Sequence, residues 1–382
     1  MEQIDQNENE AKNRFVVGAV GCGQAGTSAA QLFMQTIGGD MKHLVSINLS
    51  PADLKGATMV AEQNRILLDK NSYGAGGNRD VAKRFAIAKK EPIAHVVSSA
   101  LEGTNINFVF FSTGGGTGSG IGPFFSALFE SDAFPKTPGK PVPFFGVAML
   151  PDASEGENKM NNTINALNEI SKFSAAKAAR FILVDNNTFV SVKDSESRWA
   201  QIDDEFVRMI KRYLFTSYVS STSNLDLEDR YTSLCFPGVH SFCTFNPANP
   251  AEITSPFILP EGELVKRMAC EIPTGASAAV SQLQSIIGCT VDEPSMAGYY
   301  NSDEAGAFPI VHFAGFSNLK KVTERYQSWL QQIKQRSSMQ AKVDAEVGAG
   351  FALRDANNEY IEAQSGTDTS KTADDLVNLM NG

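Results

Sequence analysis

The apolar run Asn107–Ser112 (NFVFFS) is followed, one threonine later, by Gly114-Gly115-Gly116-Thr117-Gly118-Ser119-Gly120. Five glycines in seven positions lose much backbone freedom on ordering, so a fold that keeps them must draw an offsetting benefit. A row of N–H groups without Cβ atoms makes a nest for an anion. Thr117 and Ser119 add hydroxyl donors. A strand-like run ending in such a loop therefore predicts a phosphate site at the carboxyl end of a strand. No lysine follows the glycines, so this is not a P-loop.

Two further glycine segments fit the same reading. Gly21-Cys22-Gly23-Gln24-Ala25-Gly26 lies between the apolar run Phe15–Val20 and a helical stretch, Thr27–Thr36. Alone it is a GxGxxG dinucleotide fingerprint, or a tight strand–helix turn with no ligand. Gly74-Ala75-Gly76-Gly77-Asn78-Arg79-Asp80 leads into another helical stretch, where Asn78 or Asp80 also suits a helix cap. Three such loops at one sheet edge would together wrap a triphosphate.

The rest of the chain supplies the sheet. Strands are predicted at 15–20, 43–49, 107–112, 143–150 and 180–185, with helices at 80–90, 92–101, 122–130 and 159–172. Alternation of this kind predicts a parallel sheet covered on both faces. Apolar positions at Ile202, Phe206, Met209 and Tyr213 predict a long helix from Ser197 to Tyr218. Residues 232–316 then read as short strand-like pieces, such as Leu234–Phe236 and Ile310–Phe316. Leu319–Gln335 reads as an amphipathic helix. The expected class is α/β: a Rossmann-like parallel-sheet domain at 14–196, a central helix and loop at 197–231, and a smaller α+β domain at 232–318. A C-terminal helix at 319–345 and an acidic flexible tail at 346–382 follow, and residues 1–13 form a disordered N-terminal tail.

Charge and cysteine content narrow the function classes. The formal net charge is −10, which argues against direct binding to nucleic acid or an anionic membrane. Residues 340–382 contribute −5 of it, from eight acids and three bases. Five cysteines at no metal-like spacing read as reduced and buried in a cytoplasmic protein. Neither a secretory signal nor an apolar run of about 18 residues is seen.

The motifs, in this order, resemble the tubulin/FtsZ superfamily of filament-forming GTPases over about residues 14–320. The resemblance implies GTP or GDP with Mg2+ at the glycine loops. It places Gly23, Gln24 and Ala25 in the first phosphate loop, with Gln24 of the tubulin type. Asn48 comes near the nucleotide through INLSPADL, where Ser50 replaces an acid. Gly74, Ala75, Gly76, Gly77 and Asn78 correspond to the loop that senses the γ-phosphate, and Gly114, Gly115, Gly116, Thr117, Gly118 and Ser119 to the signature loop. Glu155 and Lys159 match the acid and base of a sugar-contacting segment. Their plainer reading is a capping acid and a solvated lysine. Asn186 matches the base-binding asparagine, and Asp204 the acid that selects guanine. Ala200 stands where an aromatic is expected, next to Trp199.

NLDLED at 224–229 resembles the catalytic loop that such proteins insert into the next subunit's pocket. The resemblance gives Asp226 and Asp229 the attacking water and Asn224 a nucleotide contact across the interface. Taken alone, the segment also reads as an exposed acidic turn. The mixture of tubulin-type and FtsZ-type features looks like the plasmid and phage tubulins, which implies a filament that moves or positions DNA through a basic adaptor. Leu376, Leu379 and Met380 form an apolar face suited to docking a partner or a neighbouring subunit. An FtsZ-like division protein, a non-hydrolysing regulatory homologue, and an NAD(P)-dependent oxidoreductase using GCGQAG with Asp40 or Asp53 are the alternatives.

Overall fold

The structure is a computed structural model. It describes residues 15–134, 142–189, 194–215, 225–273, 280–300 and 308–350, with the backbone alone for 195, 196, 199, 280, 281, 300 and 341–350. Asn224, both tails and the side chain of Trp199 lie outside the described residues.

Strands and helices alternate from the start: β1 (Val17–Cys22), α1 (Gly23–Ile37), β2 (Leu44–Asn48), α2 (Pro51–Gly56), β3 (Arg65–Leu67), α3 (Arg79–Ala88) and α4 (Lys90–Ala100). Next come β4 (Ile106–Ser112), α5 (Gly116–Glu130), β5 (Phe144–Leu150), α6 (Glu157–Ala175) and β6 (Arg180–Asp185). These six strands are parallel, in the order β3-β2-β1-β4-β5-β6. β1 is buried along its whole length, as the apolar run predicts for a strand covered on both faces. Phe33 of α1 packs on Phe108 and Phe110 of β4, with ring centroids 5.0 and 5.2 Å apart.

The chain continues with α7 (Ser195–Phe215), α8 (Leu227–Cys235), β7 (Gly238–Asn246), β8 (Asn249–Thr254), β9 (Leu264–Val265) and β10 (Arg267–Pro273). It closes with α9 (Val280–Ile287), β11 (Thr290–Val291), β12 (Met296–Tyr300), β13 (Ile310–Phe316) and α10 (Lys320–Gly350). β7 pairs in parallel with β6 through Arg180 and Gly238, so one sheet runs through both parts of the chain. Residues up to Leu330 form one compact unit. From Gln331 on, α10 belongs to a second. The start of α10 is tied to the strand ends: Tyr326 donates to the Pro151 carbonyl at 2.8 Å, and Arg325 to Asp185 at 2.7 Å.

Three expectations about local structure are corrected. Leu234–Phe236 is not a strand; Leu234 and Cys235 end α8, which starts from a capping box between Asp226 and Asp229. Satisfying the free N–H groups of a first turn outweighs the β preference of three residues. α1 begins at Gly23 and α5 at Gly116, where helices were expected only from Thr27 and Gly122. Much of the two glycine "loops" is therefore helical first turn.

Three buried rings join α7 to β7 and β13. His240 Nε2 lies 2.8 Å from the Phe236 carbonyl, which can only accept, so this nitrogen carries the proton. His240 Nδ1 then accepts from His312 Nε2 at 2.9 Å, and His312 Nδ1 accepts from the Tyr213 hydroxyl at 2.9 Å. Burial holds both imidazoles neutral, His240 down to about 3 and His312 well below its usual range. Asp203 of α7 works the other way. It faces Ala29, Leu32, Phe110, Met149, Val184 and Val207, and desolvation pushes it up to about 6. The unfolded chain takes up protons on the histidines below about pH 6.5, so their contribution is present above that pH and lost as the pH falls. Folded Asp203 keeps a proton that the unfolded chain releases between about pH 4 and 6, so its contribution is lost as pH rises through that window. Asp203→Asn is expected to stabilise the fold at pH 8 by about 2 kcal/mol, and to add nothing at pH 4. Urea midpoints at the two pH values measure this.

Candidate functional site

β1 and β4 lie side by side, so their carboxyl ends bring GCGQAG and GGGTGSG together. A Cβ on Gly23 would lie 2.9 Å from the Gly118 nitrogen. A Cβ on Gly116 would lie 2.8 Å from the Ala75 Cβ and 2.9 Å from the Gly77 backbone. The third segment therefore rests directly on the second, and all three converge at one sheet edge. Gly74, Gly76 and Gly77 have φ of +132°, +54° and +78°, which only glycine adopts without strain.

The glycines divide into two kinds. Gly26 and Gly120 are packing glycines: a Cβ there would lie 2.2 Å from the Phe110 and Arg79 carbonyl oxygens. Gly115 is the N-cap of α5, half-exposed, with nothing within 4 Å of a Cβ position. α5 has neither an acid in its first turn nor a side-chain cap, so its leading N–H groups suit an anion. Thr117 is half-exposed beside it. Ser119 does not supply the expected donor. It is buried, and its hydroxyl donates to the Gly115 carbonyl one turn back.

The other predicted residues flank this edge. Gln24 and Ala25 are exposed on the first turn of α1. Asn48 is buried at the end of β2; its Oδ1 accepts from Leu49 and Ser50 N–H and its Nδ2 donates to Asp53. It braces the strand end. Ser50 caps α2, accepting from Asp53 N–H at 3.3 Å. Asn78 caps α3, accepting from Asp80 and Val81 N–H. Glu155 accepts from Asp152 N–H at 2.7 Å and pairs with Lys159, whose stem lies on Gly114. Asn186 is half-buried just past β6, and Asp204 is exposed on α7. Asn187 is committed internally, donating to Pro151 O and Asp185 and accepting from Ala153 N–H.

The acidic segment is not part of this edge. Asp226 Oδ1 accepts from Asp229 N–H at 2.8 Å, and Asp229 Oδ2 from Asp226 N–H at 3.4 Å. Burial, then the Asp226 charge, holds Asp229 above the usual carboxylate range. α8 ends against the first residue of β6, where Arg180 donates to the Cys235 carbonyl at 3.1 Å. The opposite end of β6 leads to Asn186. Along α7, Arg198 pairs with Asp152 of the loop between β5 and α6, while the Tyr213 carbonyl accepts from Arg230 of α8 at 2.7 Å. Fifteen residues of helix separate these two anchors, about 22 Å. Asp226 and Asp229 thus lie at the far edge of the sheet from their own chain's glycine loops.

Sequence reading passed over Arg79, Asp152, Asn162 and Arg198. Arg79 is buried, donating to the Ser119 carbonyl at 2.9 Å and pairing with Glu169. For Arg79, Asn162 and Arg198 the one signal was polarity within a helix; Asp152 lies in the loop before α6 and had none. A cleft of about 410 Å³ between β8 and α10 is lined by Asp185, Phe257, Glu263, Phe316 and Arg325 and holds none of the predicted residues. Among the described residues no group of three or more His, Cys, Asp or Glu could hold a metal ion. Mg2+ that keeps its waters and nucleotide phosphates needs no such cluster.

A parallel sheet with three glycine segments meeting at its carboxyl edge defines a nucleotide-binding α/β protein. Residues 16–194 match the Tubulin/FtsZ family, GTPase domain. Among curated relatives it is 28% identical to the tubulin-like protein CetZ5 of Haloferax volcanii over 159 residues, 38% of each chain. The chain spans about half or less of the length of the curated relatives it matches. Among solved structures it is similar to the tail-truncated TubZ of Clostridium botulinum phage c-st, with a TM-score of 0.66 at 19% identity, covering 85% of this chain and 99% of that one. It is also similar to TubZ in a GTPγS-form protofilament from Bacillus thuringiensis serovar israelensis, with a TM-score of 0.65 at 18% identity, covering 87% and 94%. These two likenesses establish the fold.

Proposed function

We propose that this chain is a GTPase that hydrolyses GTP within head-to-tail filaments, the acidic segment of one subunit completing the pocket of the next. The separation of Asp226 and Asp229 from their own glycine loops carries the reading. An acidic segment anchored about 22 Å along α7 from the Asp152 loop needs a second copy to meet phosphates held at the glycine edge. Stacking the acidic edge of one subunit on the glycine edge of another is heterologous, and without closure it makes an open filament. That a neighbouring fold was solved as a GTPγS-form protofilament supports it. Gly115 and Thr117 would hold phosphates, Glu155, Lys159, Asn186 and Asp204 sugar and base. Gln24 would help hold the nucleotide's Mg2+, which would offset phosphate charge.

The further reading is a filament that segregates or positions plasmid or phage DNA in the cytoplasm through an adaptor on the C-terminal tail. The acidic tail composition and the TubZ likenesses support it. No helix of the described residues is long and apolar enough to cross a membrane. A dinucleotide oxidoreductase is less favoured: Asp40 caps the turn before β2, at the wrong end of that strand for a ribose.

Phosphate release per subunit is expected to rise steeply with protein concentration, with GTP-dependent pelleting over the same range. A rate per subunit that stays constant at dilution would remove the shared site. Binding of NAD without pelleting would favour the oxidoreductase.

A further inference from the structure

α6 passes behind both phosphate segments, and Asn162 is buried at their junction with 6% of its surface exposed. Its single amide nitrogen donates to the Gly77 carbonyl at 2.9 Å and to the Gly114 carbonyl at 3.0 Å. The two acceptors are 37 residues apart in sequence and belong to different glycine segments. We propose that Asn162 is a positioning residue that sets the preference of this site for a nucleoside triphosphate over the diphosphate.

Both protons of one nitrogen are used, so the amide fixes the separation of two backbone carbonyls. It also turns those carbonyls toward α6. The Gly115 N–H, across the same peptide from the Gly114 carbonyl, then faces away from the helix, while the Asn78 N–H, across the peptide from the Gly77 carbonyl, closes a turn on the Ala75 carbonyl at 2.8 Å. Four contacts reinforce the clasp. Gly77 lies against Asn158, with a Cβ position 2.6 Å from its Nδ2. Arg79 ties α3 to the Ser119 carbonyl and to Glu169 of α6, and Lys83 reaches the same Glu169 oxygen at 2.8 Å. Within the 74–77 segment the Ser72 hydroxyl bonds the N–H and carbonyl of Gly74, and Asn78 N–H bonds the Ala75 carbonyl; the clasp is the bond that ties this turn to the Gly114 segment.

A phosphate chain that reaches only the N-terminus of α5 does not test the distance between the segments. One that also reaches residues 74–77 does. The longer chain gains from a preset gap, because the loop is ordered before binding and the ordering cost is not charged to affinity. Without the clasp, the triphosphate has to order the segment itself, while the diphosphate is little affected. This rests on the proposal that the glycine edge binds a guanine nucleotide.

The test compares Kd for GTP and GDP, without polymerisation, in the unaltered chain, in Asn162→Leu and in Asn162→Asp, which is nearly isosteric but cannot donate. Ile170→Ala, a buried change on the same helix away from both loops, is the control for lost stability. The expected result is about tenfold weaker GTP binding in both Asn162 variants, less than threefold change for GDP, and an unchanged GTP:GDP ratio in Ile170→Ala. Asn162→Ser, too short to reach either carbonyl, serves if the larger replacements do not fold. Folded Asn162 variants that keep the unaltered ratio overturn the clasp while leaving the nucleotide site standing, as does an unaltered chain that binds GTP and GDP equally. An unaltered chain that binds neither nucleotide overturns the proposed function, and the clasp with it.

Discussion

Asp226→Ala, Asp226→Asn and Asp226→Ser are all expected to bind GTP like the unaltered chain and, once assembled, to release phosphate at least about 100-fold more slowly. The magnitude is typical of losing one group that acts only in the transition state. Three replacements are needed because Asp226 has two roles in this fold. It caps α8 through Asp229 N–H, and removing a cap costs about 1 kcal/mol. Ser and Asn keep that bond; Ala does not. None keeps the carboxylate. If turnover depends on the carboxylate, all three lose it together, and their filaments persist longer because hydrolysis no longer weakens them. A different pattern, with Ser and Asn active and only Ala impaired, would mean that the acid is a cap and no more. Asp229→Asn should follow Asp226→Asn, since the two carboxylates share one box and one charge field.

The second large effect separates the glycines by role. Gly26→Ala puts a methyl group 2.2 Å from the Phe110 carbonyl oxygen, backbone against backbone, with no flexible side chain to yield. A cost of about 3 kcal/mol or more follows, a large share of the roughly 5–15 kcal/mol that holds a folded chain together. Gly115→Ala meets nothing within 4 Å, and its φ of −75° suits alanine. Its melting temperature should match the unaltered chain within a degree or two. Its GTP affinity should nevertheless fall more than tenfold, because the methyl group projects into the space assigned to phosphate. Normal GTP binding by folded Gly115→Ala would move the anion away from α5. Calorimetry for the fold and fluorescence titration for the nucleotide measure the two arms separately.

Much of this was legible in the chain itself. Strand β6 was read at its observed limits, Arg180–Asp185, because a fully buried parallel strand is a short apolar run. The meeting of three glycine segments at one edge followed from strand–helix alternation, since parallel strands put all their following loops on the same side. The role of each glycine was not legible. Gly26 and Gly115 look alike in sequence, yet one touches a carbonyl 84 residues away and the other touches nothing. The Ser119 hydroxyl was misassigned for a similar reason. Once α5 starts at Gly116, its own helix presents a carbonyl one turn back, and that short-range partner takes the proton.

Local order in the sequence determined the α/β class, the convergence of the glycine segments and the family resemblance, because strand–helix alternation and a glycine run behind a buried strand are both local patterns. Tertiary structure alone decided where the acids stand. NLDLED reads the same whether it faces its own pocket or another. Only the pairing of β7 with the start of β6, and the anchor from Arg230 to the end of α7, put it at the opposite edge. The same is true of Asn162, whose side chain matters only because folding brings two distant carbonyls within reach of one nitrogen. Contacts between residues far apart in the chain have no local signature, and in this protein they decide which glycines pack against backbone, which face open space, and where the acids stand.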